Sequence, residues 1–511
     1  MLFVAAIATA LDLAAAPPVL NWLSPVALVP GATNKVILSG QNLEGVTALW
    51  TSFGGQMTRA GAAGAAEFLV PVDRQTPEGI AAVRVVTTNG LSGMTLVLLD
   101  RLATRTAGAT NRSAAMADTI QTPGAVEGWV EELGSRYFRF AVRKGDHLSM
   151  EVVARRLGSS LDPWLRLTGP DGRELSINDD TAGLSGDARI DFTCTQSGEH
   201  LVELRDTRFE GGARHRYRLR IGPALPTPLD FLGSRELGLF SLVVTEPPAT
   251  LDREPNGDAK RAQRVELPAW IDGRFHRAAD RDVFSFAVKA GEQVVFSGRT
   301  RSVGSAGELV LRVESTNGAT VAVSNPDAAD GALLTNRFST AGDYRLVIEE
   351  LNGAGGERHG YRVEAEPLRP GFSLSTTVER ISARAGEGAS IEVRAQRRDF
   401  TGPIRLSVVE PTGFIRSSEL VIPSGTNVVR IDVSAPAEAR LGEHRMFGIV
   451  GRATVGGIEA VQRASTLPAL SNAMSAVRWV PRELDGVLMF SVSEEASSTP
   501  AAESRGRKRK K

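Results

Sequence analysis

The sequence predicts an all-β chain built of tandem β-sandwiches. Three observations carry that prediction. Apolar and polar residues alternate with period two along almost the whole chain, turn-forming Gly, Asn, Asp and Pro interrupt the alternation at short intervals, and amphipathic helical patterns are scarce. The segment "YFRFAV" puts Phe138, Phe140 and Val142 on one face. Likewise "RYRLRI" puts Tyr217, Leu219 and Ile221 on one face and Arg216, Arg218 and Arg220 on the other. A chain of 511 residues is too long for a single core, so several domains are expected.

Residues 1–16 are apolar over the length of a signal peptide and too short to span a bilayer, which predicts export. Residues 17–101, which include "PGATNKVILSGQNLEG", read as a first sandwich. Residues 121–222 and 251–368 read as a duplicated domain, separated by a Pro- and Leu-rich linker at 223–250. The duplication is visible within the chain itself: "YFRFAVRKGDHL" from Tyr137 matches "VFSFAVKAGEQV" from Val283, an offset of 283 − 137 = 146. "GEHLVEL" from Gly198 matches "GDYRLVI" from Gly342, and "YRLRI" from Tyr217 matches "YRVEA" from Tyr361, both offset by 144. Motifs that keep order and spacing mark a repeat. Residues 369–466 read as a last sandwich, and 467–511 as a C-terminal segment ending in a disordered basic tail.

Charge excludes some classes. The chain has 59 basic and 59 acidic residues, and six of the basic ones lie in the tail "RGRKRKK"; the remainder, 59 − 6 = 53 basic against 59 acidic, is mildly acidic. No nucleic-acid partner is expected from such a body. The tail reads as a solvating end or as a grip for an anionic polymer. No later segment is apolar enough for a transmembrane helix. Cys194 is the only cysteine, which rules out an intrachain disulfide and predicts a buried, inert thiol.

The two repeats resemble bacterial pre-peptidase C-terminal (PPC) domains, jelly-roll-like sandwiches appended to exported proteins. The resembling residues are "GSSLDPWLRLTGPDGRELSINDD", "GEHLVELRD" and "YRLRI" in the first repeat. In the second they are "EPNGDA", "DRDVFSFAVKAGE", "STAGDYRLVIEE" and "YRVEA". Residues 17–101 resemble IPT/TIG immunoglobulin-like domains, and 369–466 resemble other Ig-like modules. The full expectation is therefore an all-β array of Ig-like and jelly-roll-like sandwiches.

The resemblance implies a calcium site in the second repeat, where an acidic stretch with an E-P-N core works with carboxylates of a later loop. The matching residues are Asp252, Glu254 and Asn256, with Asp258 one place beyond the Gly257 where a further acid is common, and Asp280 and Asp282 from "AADRDVF". Calcium takes six to eight hard oxygens, which carboxylates and amide carbonyls supply. The alternative is a solvated linker in which Pro255 and Asn256 make a turn. The first repeat lacks both halves. A second acidic loop, "INDDTAGLSGDARID", reads as turn chemistry rather than a metal loop, since its spacing is not that of an EF-hand.

Catalytic signals are missing. The six histidines are scattered singly, and no H-E-x-x-H, G-x-S-x-G or P-loop pattern occurs. The expected function is non-enzymatic extracellular binding or adhesion to a protein, a polysaccharide or the cell envelope. The alternative is an accessory or scaffold chain of a secreted peptidase system.

Overall fold

The computed structural model describes residues 16–498 except 55–56, 61–65, 182–183, 224–248, 301–304, 306, 325–330, 358, 411, 478–479, 482–483 and 495–496. The expected signal peptide, the linker core and the basic tail fall outside the described residues. Strand accounts for 53% and helix for 3%, so the chain is all-β. No described helix is long and apolar enough to cross a membrane.

In the first sandwich, Val19–Ser24, Thr33–Gln41, Glu67–Pro71 and Thr58–Arg59 form one sheet, and Ala27–Leu28, Thr95–Leu99, Gly79–Thr87 and Val46–Thr51 the other. Their inward residues, among them Leu23, Val36, Phe68, Val83 and Val85, form its core.

The second and third sandwiches have one strand order. In the second, one sheet runs Thr104–Thr106, Gly124–Trp129, Arg216–Gly222, His147–Val153, Arg189–Thr193. The other runs Asp118–Thr119, Ser135–Val142, Gly198–Asp206, Pro163–Thr168, Glu174–Asn178. In the third, the same order is filled by Thr250–Leu251, Ala269–Arg274, Gly360–Pro367, Gln293–Arg299, Gly331–Arg337. Its second sheet holds Gln263–Arg264, Arg281–Val288, Gly342–Glu350, Leu309–Ser315 and Thr320–Val323. The second sandwich thus starts at Thr104, ahead of the expected residue 121, because Thr104–Thr106 pairs in parallel with Gly124–Trp129.

The last sandwich extends beyond the expected end at 466. Leu488–Val492 runs parallel to Arg380–Ala383 and antiparallel to the start of His444–Val455. Every residue of that strand is buried, so it shows no alternation. A strand covered on both faces reads as a plain apolar run, which is why "VLMFSV" falls outside the sandwich that alternation marks out.

The faces expected to be polar are in part interdomain. Arg218 and Arg220 are 0% and 1% exposed, where half-buried strands predict solvent. Both Nε atoms donate to Asp100 at the end of the first sandwich (2.8 and 3.0 Å), and Arg218 Nη1 donates to Glu127 (2.8 Å). Glu127 also accepts the backbone N–H groups of Val26 and Ala27. Strand Gly79–Thr87 is buried on both faces. Ala81, Val83 and Val85 fill its own core, while Ile80 and Ala82 face Val153 and the helix Leu467–Ala473, and Val86 faces Met489. Arg84, midway along this strand, is fully buried against Glu379 of the last sandwich. A buried pair of this kind fixes how two modules sit, because separating either partner leaves an uncompensated charge.

Candidate metal centre

Backbone pairing stitches two loops of the third sandwich together. Strand Thr250–Leu251 lies parallel to Ala269–Arg274, and Asp252 N donates to Asp272 O (2.8 Å). Four residues on, Asn256 O accepts from Val283 N (3.2 Å), at the start of strand Arg281–Val288. The second loop turns through Ala279, whose φ of 56° is left-handed, and delivers Asp280 and Asp282 to the same place.

One oxygen from each of Glu254, Asp280 and Asp282 lies within 4.8 Å of the others, and Asp252, Glu254 and His276 converge within the same limit. Two oxygens on opposite sides of a calcium ion are about 5 Å apart, so these groups stand at coordinating separation. The interior partners are few. Asp280 accepts His276 N–H (2.6 Å), Asp282 Oδ2 accepts the Tyr361 hydroxyl (2.6 Å), and Asn256 Nδ2 donates to Asp252 Oδ1. Three oxygens are left buried without a donor: Asp252 Oδ2, Asn256 Oδ1 and Asp282 Oδ1. A buried acceptor left without a partner costs about 1–3 kcal/mol. The donor set is oxygen-rich and hard, with one imidazole at its rim, which suits calcium better than a thiolate-loving metal.

Burial pushes the Asp282 carboxyl up to about 7, against the pull of the Tyr361 hydroxyl and with a further push from Asp252, Asp280 and Glu254. Burial likewise raises Asp252, with Glu254 adding to it. Four carboxylates thus face each other, with His276 Nδ1 3.5 Å from Glu254 and Arg277 Nε 3.8 Å from Asp280 at their rim.

Five of the six residues expected as ligands come together; Asp258 does not. Its carboxylate accepts from Lys260 N, Arg261 N and the Arg261 guanidinium, closing its own turn at the surface. Gly257 has a steric reason: a Cβ there would meet Arg281 O at 3.0 Å. His276 was not anticipated; its only sequence signal is its place four residues before Asp280 in "FHRAAD".

The second sandwich holds the same pocket differently. Arg136 occupies the register of Asp282: the residue after each donates its backbone N–H to an asparagine carbonyl, Tyr137 to Asn111 and Val283 to Asn256. The Arg136 guanidinium, 3% exposed with its residue, donates to Asn111 Oδ1 (2.8 Å), Gly108 O (3.2 Å), Trp129 O (3.0 Å) and Glu131 (2.8 Å). Asn111 Oδ1 is therefore satisfied by a side-chain cation where Asn256 Oδ1 is not.

Among the described residues, the other acidic loop has no comparable gathering. Asp187, fully buried, accepts the N–H groups of Ala154 and Arg155 and the Arg156 guanidinium. Asn178 Oδ1 accepts from Thr181 and Arg189 N, which is turn chemistry. Cys194 is buried, 4.0 Å from His200 Nε2. Trp164 lies under the guanidinium of Arg205 at 3.9 Å.

No protein-family model matches the chain, and no curated protein matches it. Among solved structures it is similar to the pre-peptidase C-terminal domain of a Bacillus anthracis collagenase, at 11% identity over 20% of this chain and 93% of that one, TM-score 0.17. It is also similar to the SGBP-B protein of a Bacteroides ovatus mixed-linkage glucan utilization locus, solved with a heptasaccharide. There the identity is 10% over 66% of this chain and 70% of that one, TM-score 0.15. Likeness at this level carries no functional argument; the sandwich architecture rests on the strand pairing.

Proposed function

We propose that the chain is an extracellular, non-catalytic binding protein of four β-sandwiches, two of them of the PPC type, with a structural calcium ion in the third. The observation that carries the calcium reading is the set of three donorless buried oxygens among Asp252, Asn256 and Asp282, at a position where the sister domain places a guanidinium. Asp252, Glu254, Asp280 and Asp282 would supply carboxylate oxygens, and Asn256 its amide carbonyl. Bound calcium would tie the loop that enters the sandwich to the loop that crosses from strand Ala269–Arg274 in one sheet to strand Arg281–Val288 in the other, and so stiffen one end of the module. Binding to the folded form alone raises stability with ligand concentration. A non-catalytic role is supported by the use of the chain's isolated polar residues in turns, caps and interdomain contacts. An extracellular protein or polysaccharide is the class of partner such an array of sheet faces and loops suits.

The test is a thermal melt of the full chain with excess calcium and with a chelator, for wild type and Glu254→Ala. Calcium should raise the wild-type midpoint by several degrees and the variant's by much less. Equal midpoints in all four conditions would sink the calcium site. A screen against collagen, cellulose, chitin and envelope fractions addresses the partner separately.

A further inference from the structure

The first sandwich, the second sandwich and the segment that follows the helix Leu467–Ala473 enclose a cleft of about 330 Å³. That volume is in the range of small-molecule sites, which favour domain interfaces. Much of its wall is apolar, including Leu23, Leu96, Val153, Leu157, Met474 and Val477. Two arginines, Arg214 and Arg216, line it, and among the described residues no Asp or Glu does. The Arg216 guanidinium lies over the Trp22 ring at 4.4 Å. Arg216 Nε and Trp22 Nε1 are both buried donors without an acceptor. The acid nearest in charge to Arg216, Glu127, is already taken up by Arg218 and by the Val26 and Ala27 amides. Two of the hydroxyls at the wall are committed: Ser159 bonds to backbone carbonyls of Arg214 and Arg216, and Thr95 donates to Leu20 O.

We infer that this cleft binds a small amphiphile with a carboxylate head and an aliphatic body. The head pairs with the Arg216 guanidinium, whose neighbouring acid Glu127 is already engaged, and a wall with two arginines and, among the described residues, no acid selects for its charge. The body covers the apolar wall and excludes water from the new ion pair, which strengthens it.

Calorimetry on the full chain, with octanoate and octanol as probes, tests the inference. Octanoate should bind at least roughly tenfold more tightly than octanol, the difference expected for one charge-assisted hydrogen-bonded contact. Arg216→Gln should bring octanoate down to the affinity of octanol and leave octanol unchanged. Ala476→Trp, at an exposed position on the rim, should block both probes without touching the arginine, and covers the case in which Arg216→Gln fails to fold. Equal affinities for the two probes, octanoate binding that survives Ala476→Trp, or no heat with either probe would each overturn it.

Discussion

The second and third sandwiches share a strand order but treat one pocket in opposite ways. In the second, Arg136 fills it with a guanidinium that is part of the chain and makes four hydrogen bonds. In the third, the same register holds Asp282, and three more carboxylates gather round it. The asparagine carbonyl in each pocket needs a positive partner; one copy carries it covalently, the other leaves the place to a cation. The difference is thermodynamic. A built-in cation is present at every concentration of salt and metal, whereas an exchangeable one makes stability depend on the medium. The two copies differ here at more than one place: Arg136 stands opposite Asp282, and Gly134 stands opposite Asp280.

Breaking the covalent version should have the largest effect. Arg136→Ala strands Asn111 Oδ1 and two backbone carbonyls, leaves Glu131 to Arg112, and is expected to cost about 3–5 kcal/mol, from about 1–3 kcal/mol for each acceptor left without a donor. Hydrogen exchange in strands Gly124–Trp129 and Ser135–Val142 should accelerate accordingly, and calcium should not restore it. Protection equal to wild type would show that the guanidinium is dispensable.

The metal-free third sandwich should respond to pH with a definite sign. Asp282 keeps its proton up to about 7 in the folded state and loses it near 3.8 when unfolded. Stability is therefore full below pH 4 and declines as pH rises toward 7, by on the order of 4 kcal/mol. With a chelator present, exchange in Arg281–Val288 and Gly360–Pro367 should quicken over that interval, after correction for intrinsic rates. Saturating calcium should remove the trend in the third sandwich and leave exchange in the second, where Arg136 stands at that register, unchanged. A rise in protection with pH would contradict the burial of Asp282.

The smallest effect belongs to Asp258. Asp258→Ala should leave the calcium response of the full chain unchanged, since the carboxylate binds its own turn through Arg261. A lost calcium shift in that variant would bring Asp258 back among the ligands.

Period-two alternation made the sandwiches legible, and the internal repeat made two of them legible as copies. The four converging carboxylates were legible through their motif. What the sequence concealed was mostly the second face of a strand. Arg218 and Arg220 alternate like solvent-facing residues, yet they meet Asp100 and Glu127 of other elements. Alternation reports that two faces differ, not what covers the polar one. Leu488–Val492 was hidden for the opposite reason, since burial on both sides erases the alternation. His276 and Arg136 were hidden because their role depends on which loop lies opposite, and only the fold decides that.

The strand Gly79–Thr87 also has a consequence in time. Its outward face holds Ile80, Ala82, Arg84 and Val86, and Arg84 meets its partner Glu379 only 295 residues later. At about 5–20 residues per second, a ribosome needs roughly 15–60 seconds to supply that partner. Throughout that interval the first sandwich presents an apolar strip with an unpaired charge at its middle. Fragments that stop before the last sandwich should therefore be more prone to aggregate than the complete chain.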